Sequence, residues 1–208
     1  FYETIPDICY TLEKSDLSRR LPMRKPDSHK GTYGKVLMIT GSRGMAGAAY
    51  LSAKAAYTSG AGLVQIYTEE SNRAILQQLL PEAIISVYEE YDQEQLTSLL
   101  RWADVVCIGC GLGQNRTSES LLKRTLSGCR VPCVADADGI NLLACHPELL
   151  KEMGYPLILT PHMKEMSGLL GCSVAELRQS RMSRLRAFIQ TCPAVCVLKD
   201  SCTIVAQR

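Results

Sequence analysis

No apolar run in this chain of 208 residues is longer than a strand. A helix that crosses a membrane needs about 20 apolar residues in succession, so no helical span is expected. Residues 1–30 are polar, charged and punctuated by Pro6, Pro22 and Pro26, and they hold no signal-peptide pattern. Charge of neither sign is in excess: the formal net charge is +2, which gives no support for nucleic-acid binding. The densest basic stretch, "RQSRMSRLR" at 178–186, reads as the solvated face of a helix. Histidine is scarce, with three in all, so nitrogen ligands for a metal are few. Neither a Walker A loop nor G-x-G-x-x-G occurs.

What is present is an ordinary globular composition, 46% hydrophobic and 21% charged, in a length that suits one large domain. Ten cysteines stand out. Pairs such as Cys107/Cys110, Cys129/Cys133 and Cys192/Cys196 have zinc-like spacings. However, "VVCIGCG", "VPCVAD" and "AVCVLKD" set these thiols in apolar strands, where cysteine serves as a small buried hydrophobe. Reduced thiols in a cytoplasmic protein, without a protein-held metal, are the expectation. Residues 1–28 read as a linker or entry segment. Because the first residue is Phe1 rather than methionine, further chain is expected upstream.

From Gly34 onward strands and helices alternate. Strand-like runs are "KVLMIT", "GLVQIYT", "AIISVY", "DVVCIG", "PCVAD", "PLILT", "AVCVLK" and "TIVA". Helices are expected over 46–59, 71–80, 92–102, 117–127, 139–151, 163–170 and 173–190. Several strands are apolar throughout, as in a parallel sheet covered on both faces. Repeated βα units imply an α/β sandwich, and ligands of such sheets bind beyond the carboxyl ends of the strands.

The residues after each strand therefore carry the functional reading. "GSRGMAGAA" follows the first strand, and its small residues suit either close helix packing or a ligand against the backbone. "GCGLGQN" follows "DVVCI", with Gly109, Gly111 and Gly113 able to turn N–H groups toward an anion. In "DADGIN", Asp138 suits a helix cap, while Asp136 suits a loop anchor or a cation-bound water. In "LTPHMKEMSGLLG", His162 opens a helix with Glu165 on the same face. In "KDSCT", Lys199 and Thr203 bracket a turn between two short strands.

These five motifs occur in the same order in the ADP- or ATP-dependent NAD(P)H-hydrate dehydratases of the ribokinase-like superfamily. The chain resembles that family from about His29 to its last residue. The resemblance implies a three-layer α/β/α sandwich with a mostly parallel central sheet, incomplete at the C-terminus, in a partial dehydratase domain over 29–208. It implies nucleotide-driven repair of hydrated NADH and NADPH (NADHX and NADPHX), with ADP or ATP as co-substrate and Mg2+. Ala48, Gly111 and His162 match the family's substrate contacts. Lys199, Asp200, Ser201, Cys202 and Thr203 match its nucleotide loop. At Ala48, a larger side chain is expected to meet the ligand rather than neighbouring residues. The family usually has proline at the place of Cys110 and glycine at that of Asp200, so the turn at Asp200 is expected to fold differently. The family's G-S-G-D motif, whose aspartate activates the hydroxyl, is expected beyond Arg208, so no catalytic base is assigned and this segment alone is expected to be inactive. "IPD" at 5–7 resembles the junction in two-domain members, where an NAD(P)H-hydrate epimerase domain comes first. A homo-oligomer is expected, with neither membrane nor nucleic acid as partner. Two other readings remain open: a vitamin-precursor kinase of the same superfamily, and a non-catalytic nucleotide-binding module.

Overall fold

The structure, a computed structural model, describes residues 11, 13–16, 23–151 and 154–208. Most of the expected entry segment, including "IPD", lies outside the described residues. Strands β1 (Lys35–Ile39), β2 (Leu63–Glu69), β3 (Ile84–Tyr88), β4 (Val105–Ile108), β5 (Cys133–Ala135), β6 (Leu157–Leu159), β7 (Ala194–Leu198) and β8 (Ile204–Ala206) match the eight apolar runs. They form one sheet in the order β3-β2-β1-β4-β5-β6-β7-β8. The pairings from β1 to β7 are parallel, and β8 turns back antiparallel to β7. The chain builds outward from β1 to β3 and then restarts at β4 on the other side of β1. That reversal sets the loops after β1 and β4 side by side, at the kind of strand-order switch where open α/β sheets take their ligands.

The helices are α1 (Ala46–Thr58), α2 (Arg73–Leu79), α3 (Gln93–Trp102), α4 (Arg116–Gly128), α5 (Asp138–Cys145), α6 (Met163–Leu170), α7 (Val174–Gln179) and α8 (Arg181–Thr191). Alternation along β1 divides the core. Met38 packs with Ala49 and Ala53 of α1 and Leu76 of α2 on one face. Leu37 and Ile39 join Leu96, Leu121, Leu143, Met166 and Phe188, from helices α3 to α8, on the other. Helices thus cover both faces at β1 to β3. Toward β8, Val134, Ile158, Val195 and Val197 are half-buried on the face opposite that larger core, and Val205 is 62% exposed. Among the described residues no helix is long and apolar enough to cross a membrane.

Two expected helices are shorter than their periodicity suggested. The run 173–190 is two helices, broken at Ser180 with φ −138° and ψ 31°. Ser180 donates its hydroxyl to the Glu176 carbonyl and accepts Arg184 Nε at 2.8 Å, so it closes one helix and steadies the next. The basic stretch 178–186 therefore spans a break instead of forming one helix face. The run 139–151 stops at Cys145, and Pro147 opens a separate 3-10 turn through Lys151. Proline disfavours a helical residue before it, and His146 takes φ −131° and ψ 62°.

Candidate functional site

The loop after β1 rests on the loop after β4. The Gly41 N–H donates to the Cys110 carbonyl at 3.0 Å and the Ser42 N–H to that of Gly111 at 2.7 Å. The two segments touch at Ala48 and Gly111. A Cβ built on Gly111 would stand 2.6 Å from that of Ala48, and Gly111 has φ 61°. The alanine-rich helix α1 thus has two jobs. Ala49 and Ala53 pack on the sheet, while Ala48 borders the glycine loop. A larger side chain at position 48 would therefore have Gly111 as a close neighbour. Sequence reasoning passed over Asn72. This buried amide donates to the carbonyls of Gly41 at 3.1 Å and Ser42 at 3.0 Å, while the Thr68 hydroxyl donates to Gly41 at 2.7 Å. Its only signal was a polar residue at a helix start.

The turn after β5 is the centre of the arrangement. Asp138 does not cap its own helix. Its carboxylate accepts the Gly113 N–H at 2.8 Å and the Gln114 amide at 3.1 Å, across the β4 loop. Asp136 accepts Lys199 Nζ at 2.7 Å, and the Cys110 thiol lies 3.9 Å from its other oxygen. Burial pushes the Asp136 carboxyl up, but the Lys199 ammonium and the Thr160 hydroxyl outweigh it and hold it below the usual carboxylate range. Between the two aspartates, Ala137 takes φ 49° and ψ −118°, the sole non-glycine positive φ among the described residues. Packing is equally tight at Gly109, where a Cβ would stand 2.0 Å from the Asp136 carbonyl oxygen.

His162 is the N-cap of α6. Its Nδ1 accepts the Glu165 N–H at 3.1 Å, and the buried Glu165 carboxylate accepts the His162 N–H at 2.8 Å. The ring's Nε2 lies 3.1 Å from Glu165 Oε1, and the side chain remains 52% exposed. His162 also forms a parallel bridge with Lys199, whose N–H donates to the Pro161 carbonyl at 2.8 Å. The turn 199–203 then joins β7 to β8 with Leu198 opposite Ile204. Asp200 needs no left-handed backbone, and its carboxylate meets Arg181 of α8 at 3.2 Å. Glycine's freedom is therefore not required there, and the turn gains a tether. Ser201, Cys202 and Thr203 are exposed.

The cysteines among the described residues are free thiols, with Cys145 and Cys202 exposed. The thiol of Cys107 interacts with that of Cys110: the hydrogen bond between them, with burial, pushes Cys107 up, and the same bond draws Cys110 down against the opposing effect of burial. All the expected site residues thus lie at the carboxyl ends of parallel strands. Ala48 and Gly111 touch directly, His162 and Lys199 pair through their backbones, and the turn 136–139 links the two groups. A hollow of about 500 Å³ lies elsewhere, between Leu150, Leu169 and Phe188.

A family model described as NAD(P)H-hydrate dehydratase matches residues 36–208. The chain is 40% identical over 190 residues to the bifunctional NAD(P)H-hydrate repair enzyme Nnr of Escherichia coli K12, covering 91% of this chain and 35% of that protein. It is 37% identical over 162 residues to the ADP-dependent (S)-NAD(P)H-hydrate dehydratase of Lactiplantibacillus plantarum, covering 77% of this chain and 57% of the relative. The chain thus spans about a third of the bifunctional relatives and just over half of the Lactiplantibacillus protein. Among solved structures, a ribokinase-like protein of Enterococcus faecalis superposes with a TM-score of 0.85 at 28% identity, over 97% of this chain and 71% of that one. The ADP/ATP-dependent NAD(P)H-hydrate dehydratase of Bacillus subtilis, co-crystallised with ATP and Mg2+, superposes with a TM-score of 0.80 at 29% identity, over 94% and 68%.

Proposed function

This chain belongs to the NAD(P)H-hydrate dehydratase family, and from that premise we propose that the whole protein dehydrates hydrated NADH or NADPH at the expense of ADP or ATP. The observation that carries the reading is the meeting of Ala48 with Gly111 at the sheet's reversal point, joined through one turn to His162 and Lys199. In this reading residues 29–208 are part of the dehydratase domain, and an epimerase domain precedes it as in two-domain members. The protein works in the cytoplasm, as a homo-oligomer. The hydrated nicotinamide nucleotide lies against Ala48 and Gly111 with His162 at its side, and Lys199 to Thr203 hold the adenine nucleotide.

The reaction needs the terminal phosphoryl group moved from the nucleotide to the hydroxyl that hydration added, with loss of the hydroxyl proton, then loss of phosphate together with a proton from the adjacent carbon to restore the double bond. Phosphoryl transfer depends chiefly on positioning and charge. The Lys199 ammonium supplies a cation at the strand end, whereas the N–H groups of Gly109 and Gly113 are already engaged by the Ile39 carbonyl and the Asp138 carboxylate. Mg2+ fits this chain only as a companion of the nucleotide. No cluster of three or more metal-ligating side chains occurs among the described residues, and the Asp136 carboxylate is engaged by Lys199. Mg2+ commonly binds through substrate phosphates and water, where it neutralises charge. No G-S-G-D occurs in the 208 residues, so no side chain here is assigned as the base.

The test gives the whole protein hydrated NADH, Mg2+ and either ADP or ATP, and follows the absorbance of reduced nicotinamide. Nucleotide-dependent recovery of that absorbance is expected. No recovery with either nucleotide, together with phosphorylation of a vitamin precursor, would replace this reading with the kinase one.

A further inference from the structure

Asp136 and Asp138 stand two residues apart on one turn yet take different main partners. Asp136 takes Lys199, which is 63 positions away, at 2.7 Å. Asp138 takes the Gly113 N–H at 2.8 Å and the Gln114 side chain at 3.1 Å. Neither carboxylate is spent on capping the helix that follows, whose N-cap Ala137 makes no side-chain bond. Ala137 is held at φ 49°, a conformation that costs an L-residue energy and that persists where the surroundings over-determine it. Here they do: the Asp136 N–H donates to Ile108 at 3.1 Å, and the Gly139 N–H donates to Asp136 at 2.9 Å. The strained backbone is what lets adjacent carboxylates diverge.

We propose that the turn 136–139 is a two-armed positioning device, in which Asp136 sets Lys199 for the adenine nucleotide and Asp138 sets the glycine loop for the dinucleotide. The proposal rests on the functional reading above and adds two positioning residues to it. Lysine's long side chain has many rotamers, and a carboxylate at its tip fixes it before ligand arrives. A loop of glycines has no side chains to hold it, so an anchor on its Gly113 N–H defines where its neighbour Gly111 meets the substrate. The arms share the strained turn and a long contact from the Cys110 thiol to the second Asp136 oxygen at 3.9 Å, and each main partner is tested by its own substitution.

The experiment measures binding of ADP and of intact NADH to the full protein carrying Asp136→Asn, Asp136→Glu, Asp138→Asn or Asp138→Ala. Amide hydrogen exchange over 111–114 and 199–203 is followed on the same samples, with thermal midpoints as a control on folding. A hydrogen bond to a charged group is worth enough that its loss weakens binding roughly tenfold or more. Asp136→Asn should weaken ADP by that factor, leave NADH unchanged and raise exchange over 199–203 alone. Asp136→Glu, which keeps the charge, should recover part of the ADP affinity. The Asp138 variants should do the reverse, weakening NADH and loosening 111–114 alone. Equal loss of both ligands in every variant, or loss of neither, overturns the device. If the parent binds neither ligand, the functional reading falls. Exchange that stays unchanged in both loops then removes the positioning role as well, and exchange that separates by arm retains it.

Discussion

Ala48 and Gly111, 63 residues apart in the sequence, approach so closely that Gly111 has no room for a methyl group: its Cβ would stand 2.6 Å from that of Ala48. Gly111→Ala should therefore destabilise the protein twice over. The left-handed backbone costs about 1–2 kcal/mol, and overpacking costs about 1–3 kcal/mol more. Ala48→Gly in the same chain removes the opposing methyl and should recover the overpacking part only. Thermal or denaturant unfolding of both single variants and the double variant measures this. Simple additivity would show that the two positions do not meet.

His162 carries a structural duty and a proposed ligand contact, and two substitutions separate them. His162→Ala removes the N-cap of α6, which should cost about 0.5–2 kcal/mol. His162→Asn supplies a strong N-cap without the ring. The asparagine variant should regain stability near the parent's, while its dinucleotide affinity stays as low as the alanine variant's. Recovery of binding along with stability would show that the histidine is a cap and nothing more.

Cys202 stands exposed in the proposed nucleotide loop, and Cys145 stands exposed at the end of α5. ADP should slow alkylation of Cys202 and leave Cys145 unaffected, as read by mass spectrometry of peptides after brief labelling. Equal labelling with and without nucleotide would place the adenine nucleotide away from 199–203.

Asp136 also makes stability depend on pH. Burial raises its pKa, but Lys199 and the hydrogen bonds around it prevail and the folded-state value is lowered. A lowered folded-state pKa contributes stability above the unfolded value of about 3.9, and that contribution disappears as pH falls through the folded value. Below about pH 5 the thermal midpoint of the parent should therefore fall more steeply than that of Asp136→Asn. Parallel curves for the two proteins would mean that the Lys199 contact contributes nothing to folding.

The sequence by itself determined the order of strands and helices, because apolar runs and helical spacing are local properties. It also marked which strand ends carry unusual residues. It could not show whom those residues meet. Asp138 suited a helix cap by every local rule, but the strand order sets β4 beside β5, and its carboxylate reaches Gly113 instead, 25 positions back. Lys199 suited a solvated turn, yet its partner lies 63 positions upstream because β6 is the only strand between theirs. The break at Ser180 fell inside a mostly helical spacing whose single five-residue step, from Leu177 to Met182, does not by itself mark where one helix ends, whereas the Ser180 hydroxyl closes one helix and braces the next. Asn72 was invisible for the same reason: a buried amide is defined by the carbonyls it satisfies, and those come from a loop 30 residues away. Periodicity records which face of an element is buried, whereas long-range hydrogen bonds exist only once the sheet has set its strands side by side.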